Sequence, residues 1–215
     1  MKKTIGFIVL AAGQSQRLGQ NKLLLPIKNS ADASKTQPML LHIVQQLSPF
    51  DVPMLVVSRQ HDTQVQQLLN EHQIPHVATP ASEQGMAHSL AFGIEQAATW
   101  DGWLICLADM PCIQADSYQH MLHAMQENDL AVPTYQHRYG HPVGFSKMFY
   151  AELIGLQGDQ GARALLRRHQ HLLTEVSCSD PGILWDIDTA QDLAQLHSDP
   201  QGLILPHPFQ LSPQE

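Results

Sequence analysis

Cysteine is scarce in this sequence: Cys106, Cys112 and Cys178 are the three in 215 residues, and no two form a C-x-x-C pair. An odd number cannot close into a complete disulfide set. This excludes the stapled scaffold of a small secreted domain and points to a reducing compartment, the cytoplasm. Basic residues are also few, 12 against 20 acidic ones, and no run of Lys or Arg assembles a basic patch. A net charge of −8 repels duplex nucleic acid and anionic membrane, so neither is an expected partner. The apolar run at 5–12 is far shorter than the about 20 residues that span a bilayer. Histidine is abundant, at 13 residues, but H-E-x-x-H is absent. The pairs His120/His123, His137/His141 and His169/His171 have no cysteine partners, so zinc-ligand spacings are not matched.

What is present suits one folded domain. Apolar residues make up 43% and charged residues 15% of a chain long enough to bury a good core, which excludes global disorder. Short apolar runs alternate with helical stretches. Strands are expected at 4–11, 52–58, 74–79 and 101–111, and helices at 38–47, 62–72, 86–98 and 115–128. This alternation predicts a three-layer α/β fold with a mostly parallel, Rossmann-like sheet between helices. From residue 130 the rhythm changes. "LAVPTYQHRYGHPVGFS" (130–146) carries two strand-like pieces around Gly140 and reads as an antiparallel insertion. Helices are expected at 149–156 and 162–169, a strand at 172–178 and a closing helix at 189–197. A single domain is expected over 1–197, with 198–215 as a C-terminal extension of little periodicity.

Two lysines followed by an apolar run also fit the start of a secretory signal peptide. As the first strand, however, residues 4–11 would form the middle of the sheet. Without them the helices that follow would have no central strand to cover, so the strand reading is adopted.

That strand runs into "LAAGQSQRLGQNKLLLP" (10–26). Gly13 and Gly19 are separated by five residues and no Lys follows Gly19, so the P-loop pattern fails, as does G-x-G-x-x-G. Small side chains would still let backbone N–H groups approach a triphosphate, and Arg17 and Lys22 supply permanent cations. A plain loop with solvated charges has the same composition. Asp109 lies at the end of a strand, where open α/β sheets place ligands, although a capping or turn aspartate reads alike. Asp188, paired with Asp186, could hold a cation or cap the last helix. Ser89 could offer backbone and hydroxyl donors to a nucleoside or be an ordinary first-turn serine. Cys106 and Cys112 flank Asp109 and read as small core residues.

Five blocks in order resemble a known family. They are L-A-A-G-x-S-x-R-x-G-x-x-K continuing into K-L-L-L-P (10–26), "EQGMAHSLAFGI" (83–94), "LADMP" (107–111), "YGHPVGFSKMFYAELIGLQGDQGARALL" (139–166) and "DIDTAQDL" (186–193). They are similar to the signatures of nucleotidyltransferases of the nucleotide-diphospho-sugar transferase fold, above all the branch that handles molybdenum cofactor. The last two blocks resemble the cytidylyltransferases more than their guanylyl relatives. The resemblance implies transfer of CMP from CTP to the terminal phosphate of molybdopterin, with Mg²⁺ and release of pyrophosphate. It implies that Leu10, Ala11, Ala12, Gly13, Lys22, Gly85, Ser89 and Asp109 bind the nucleotide and that Arg17, Lys22 and Asp109 are catalytic. Asp109 and Asp188 would hold Mg²⁺.

For the acceptor the same resemblance offers His141 and Arg163, with a receiving molybdoenzyme as partner. Ala12 stands where the guanylyl relatives usually have glycine, and a methyl group there would narrow the base pocket toward a pyrimidine. Two departures stand out: residues 28–37 lengthen the turn after Pro26, and Ala87 and His88 replace small polar residues at the base-side helix start. The competing readings are the same nucleotide site with GTP or with a sugar or polyol phosphate acceptor, and a non-catalytic carrier of finished cofactor.

Overall fold

The apolar segment near the start of the chain is strand β1 (Ile5–Ala11), and all seven of its residues are buried. A strand covered on both faces needs no polar alternation, which is why this one reads as a continuous apolar run. The computed structural model describes residues 2–13, 20–28, 34–80, 85–158 and 162–198. After β1 come β2 (Pro26–Lys28), β3 (Thr36–Pro38), α1 (Met39–Leu47), β4 (Met54–Arg59), α2 (Thr63–Glu71), β5 (His76–Thr79), α3 (Met86–Gln96) and β6 (Gly102–Leu107). The second half holds α4 (Ala115–Glu127), β7 (Leu130–Tyr135), β8 (Arg138–Tyr139), β9 (Val143–Ser146), α5 (Tyr150–Ile154), α6 (Arg163–Arg168), β10 (Leu173–Ser177) and α7 (Ala190–Ser198).

The main sheet has the order β10-β7-β9-β6-β1-β4-β5, with β8 paired to β7. β1 lies between β6 and β4 and runs parallel to both, β4 is parallel to β5, and β10 is parallel to β7. β9 runs antiparallel to both neighbours, β6 and β7. The antiparallel segment expected after residue 130 is therefore a strand inside the sheet. It joins the parallel half around β1 to the pair β7 and β10.

Alternation along β1 divides the core. Ile5, Phe7, Val9 and Ala11 face the layer of α1 and α4, whereas Ile8 and Leu10 face the layer of α3 and α5. Phe7 packs edge-on against Phe50 and Tyr118, both 5.9 Å away between ring centres. Each such aromatic or branched side chain, fully buried, contributes about 1.5–3 kcal/mol. This is the three-layer α/β fold expected from the sequence.

Boundaries differ from the expected ones where side chains redirect the backbone. The strand expected over 101–111 stops at Leu107, because Met110 N–H turns back to Leu107 O at 3.4 Å. The lengthened turn at 28–37 includes a small hairpin, β2 with β3, in which Ile27 faces Gln37. Strands of three residues are too short to show a period, so this hairpin left no pattern to read. Arg17, the middle of that turn (29–33) and the extension beyond Ser198 lie outside the described residues.

Candidate active site

Three segments meet at the C-terminal edge of the parallel strands. The first follows β6. Ala108 N–H donates to Leu10 O at 3.1 Å, which ties the end of β6 to the end of β1. Ala108 and Met110 then turn into the core, leaving Asp109 between them on the open side.

The second segment precedes α7. Trp185 and Ile187 are buried, whereas Asp186 and Asp188 alternate to the other side, as extended backbone requires. Ile187 N–H donates to Asp109 O at 2.9 Å and locks the two segments together. Gly182 allows the approach, since a Cβ there would lie 2.1 Å from Cys112 O. As a result, one carboxylate oxygen from each of Asp109, Asp186 and Asp188 lies within 4.8 Å of the others.

Lys22 comes from the third segment, a short turn after the glycine-containing loop. Leu23 and Leu25 anchor that turn in the core, while the Lys22 ammonium donates to Asp109 Oδ2 at 2.7 Å and Asp188 Oδ1 at 2.8 Å. Burial alone would lower its pKa, but the Asp109 charge and the bonds to both carboxylates outweigh this and hold it above its ordinary value. Lys22 is therefore a fixed cation. Asp186 moves the opposite way from a normal carboxyl: burial, then the charges of Asp109 and Asp188, raise its pKa.

Three carboxylates face one ammonium, and Asp109 Oδ1 is buried without a hydrogen-bond partner. An all-oxygen set of hard donors with excess negative charge suits Mg²⁺ or Mn²⁺ rather than zinc. The residues thus fit a divalent cation held by Asp109, Asp186 and Asp188. Asp186 was missed as a ligand in the sequence. The signal was the D-I-D alternation after a tryptophan, which puts both acids on one side.

The alternative role of Asp188 as a helix cap is not what the structure shows. Thr189 Oγ1 accepts from Asp192 N–H at 3.1 Å, and Asp192 Oδ2 accepts from Thr189 N–H at 2.7 Å and Asp188 N–H at 3.0 Å. This is a reciprocal capping box that leaves the Asp188 carboxylate to Lys22 and the acidic cluster.

Leu10, Ala11 and Ala12 are buried at the end of β1, and Gly13 is exposed just beyond them. Gly85 precedes α3 at φ 103°, a conformation that favours glycine. The Ala87 N–H of the first turn donates to Gly158 O at 3.2 Å, which links this helix start to the loop before α6. Ser89 is one turn in, where its own N–H belongs to the helix ladder. Only its hydroxyl is left to offer a ligand, so the expected backbone donor is corrected.

His141 lies beside the cluster. Burial of its ring is the main cause that lowers its pKa to about 4, and the Arg163 charge pushes the same way; the bond to Ile105 O and the Asp109 charge oppose the shift. The ring is therefore neutral, and its Nδ1 is buried without a partner. Arg163, exposed at the start of α6, is near enough for its charge to act on that ring. The structure thus brings together the two residues expected on the acceptor side.

Residues 7–172 match the family of the MobA-like NTP transferase domain. The purine catabolism protein PucB of Bacillus subtilis is 33% identical over 196 residues, 86% of this chain and 92% of the relative. The molybdenum cofactor cytidylyltransferase of Escherichia coli is 23% identical, with 87% and 93% covered. The molybdenum cofactor guanylyltransferase of Vibrio cholerae is 26% identical, with 88% and 89% covered. Among solved structures, Rv0371c of Mycobacterium tuberculosis shares the fold at TM-score 0.78 and 24% identity, over 92% of this chain and 98% of that one. A structure of Rv0371c in complex with manganese is similar at TM-score 0.73 and 21% identity, over 91% and 99%.

Proposed function

The chain belongs to the MobA-like NTP transferase family, and from that premise we propose that it transfers CMP from CTP to the terminal phosphate of molybdopterin. The observation that carries this reading is Lys22 bonded into the Asp109, Asp186 and Asp188 cluster at the end of β1 and β6. An oxygen of the acceptor phosphate attacks the α-phosphorus of the nucleotide, the bond to the β-phosphate oxygen breaks, and pyrophosphate leaves. The attacking oxygen is already ionised, so no general base is needed. Positioning and charge neutralisation suffice.

Asp109, with Asp186 and Asp188, would hold Mg²⁺, which supplies positive charge to the phosphate oxygens. That a relative in this fold was crystallised with manganese supports a divalent ion here. Lys22 and Arg17 stabilise charge on the triphosphate. Leu10 to Gly13, Gly85 and the Ser89 hydroxyl border the nucleoside, and the Ala12 methyl group favours cytosine. On the acceptor side, the neutral His141 ring offers the Nδ1 lone pair to a pterin N–H, and Arg163 pairs with phosphate. A receiving molybdoenzyme takes the product in the cytoplasm.

The test is pyrophosphate release by the full chain with Mg²⁺, comparing CTP, GTP and ATP, with and without molybdenum cofactor. Release that needs both CTP and the cofactor is the expected result. Release with GTP would move the chain to the guanylyl activity, and release with a sugar or polyol phosphate would replace the acceptor. Asp109→Asn is expected to lower turnover by about 10²- to 10³-fold while leaving the melting temperature nearly unchanged. Normal turnover in that variant removes the metal assignment.

A further inference from the structure

The residue before Lys22 uses both ends of its side chain. Asn21 Oδ1 accepts from Leu23 N–H at 3.2 Å and closes the turn on which Lys22 sits. Asn21 Nδ2 donates to Asp62 Oδ2 at 2.6 Å, across 41 residues of sequence. The other oxygen of Asp62 accepts from Val65 N–H at 3.1 Å and caps α2, a helix rooted in the core by Val65 and Leu69. Asp62 itself follows β4, the neighbour of β1 in the sheet.

We propose that Asn21 and Asp62 form a positioning pair that fixes the backbone of Lys22, so that its ammonium is delivered to the triphosphate. This rests on the reading of Lys22 as a triphosphate ligand. Lysine carries its charge on a flexible four-carbon stem, so a defined ammonium position requires a defined Cα. Leu23 and Leu25 hold the far side of the turn in the core. On the near side, among the described residues, Asn21 ties the turn to a rigid element. A charge-assisted bond to a carboxylate that also caps a helix is stiffer than a bond to another loop.

The pair can be exchanged without losing its neighbours. Asn21→Asp sets two carboxylates against each other. Asp62→Asn keeps an oxygen for the Val65 cap but loses the charge. The double swap reverses donor and acceptor while leaving the Leu23 and Val65 bonds possible. Binding of Mg²⁺·CTP and of CMP to the full chain would be measured by calorimetry, with melting temperatures alongside.

Asn21→Asp is expected to weaken CTP binding by about tenfold, as loss of one charge-assisted bond implies. CMP binding should stay within about twofold, and the double swap should restore CTP affinity to within about threefold. In a Lys22→Ala background, Asn21→Asp should cost no further CTP affinity, because the pair acts through the lysine. The proposal is overturned if Asn21→Asp binds CTP like the wild type. It is also overturned if its loss persists in the Lys22→Ala background, or if the swap recovers melting temperature but not affinity. Wild-type chain that binds no triphosphate would bring down the proposed function and this pair together, whereas the other failures remove the pair alone.

Discussion

An ammonium bonded to two carboxylates, with a third close by, holds a place that a divalent cation also seeks. Lys22 neutralises Asp109 and Asp188 at 2.7 and 2.8 Å, and both are proposed metal ligands. Under the proposed function, metal and lysine would compete for the same oxygens until a triphosphate gave the lysine another anion. Lys22→Ala should lower turnover by about 10²-fold or more, as the loss of a charge aimed at the reacting phosphates does. It should also raise the affinity for Mn²⁺ alone by about tenfold, because one unit of competing positive charge is gone. A Mn²⁺ titration followed by electron paramagnetic resonance, without nucleotide, reads this directly. Unchanged affinity would mean that lysine and metal do not share the site. Lys22, Asp109 and Asp188 were singled out by their motif blocks, Asp109 also by its place after a strand, and the fold brings the three side chains together. Asp186 was read only as the neighbour of Asp188, although the D-I-D alternation puts both acids on one side; what the linear sequence does not show is that their segment folds back on Asp109 through the Ile187 bond.

The elements most readable from sequence are those with a core-facing stripe or a continuous apolar run. The central β1 and the helices α1 to α4 fall within a few residues of their expected bounds. The short hairpin of β2 and β3 and the two-residue β8 were hidden, because pairing rather than side-chain period creates them. The start of α7 shows why element ends matter to the site. Its capping box uses Thr189 and Asp192, and the same Asp192 oxygen holds the Asp188 N–H. Asp192→Ala should cost about 1 kcal/mol of stability through the lost cap. It should also weaken Mn²⁺ binding a few-fold, since the Asp188 backbone is released. Denaturant midpoints and the same titration check both effects, and Asp192→Asn, which keeps an acceptor, should recover part of each. A stability loss with unaltered metal binding would confine the box to a structural role.

For the molecule as a whole, β9 is the strand that joins the two halves of the sheet, and His141 lies just before it. A ring held neutral there makes folding depend on pH. The pKa of His141 falls from 6.5 to about 4 on folding, with burial as the main cause. Between those values the unfolded chain binds a proton that the folded chain refuses, so stability rises with pH across this window. The contribution is fully present above pH 6.5 and is lost as pH falls through about 4, and it amounts to about 3 kcal/mol. Asp186 works in the opposite sense: its raised pKa gives stability that is present below 3.8 and lost as pH rises through the folded value. A divalent cation would reverse that penalty, so metal should stabilise the fold more at neutral pH than in acid. His141→Gln keeps an N–H for Ile105 O but does not titrate. It should therefore flatten the fall in stability between pH 6.5 and 4, measured by urea denaturation at intervals without metal. An acid slope as steep as in the wild type would show that other groups set it. The same neutrality at working pH makes His141 a hydrogen-bond acceptor rather than a cation, so that under the proposed function the charge for an acceptor phosphate would fall to Arg163.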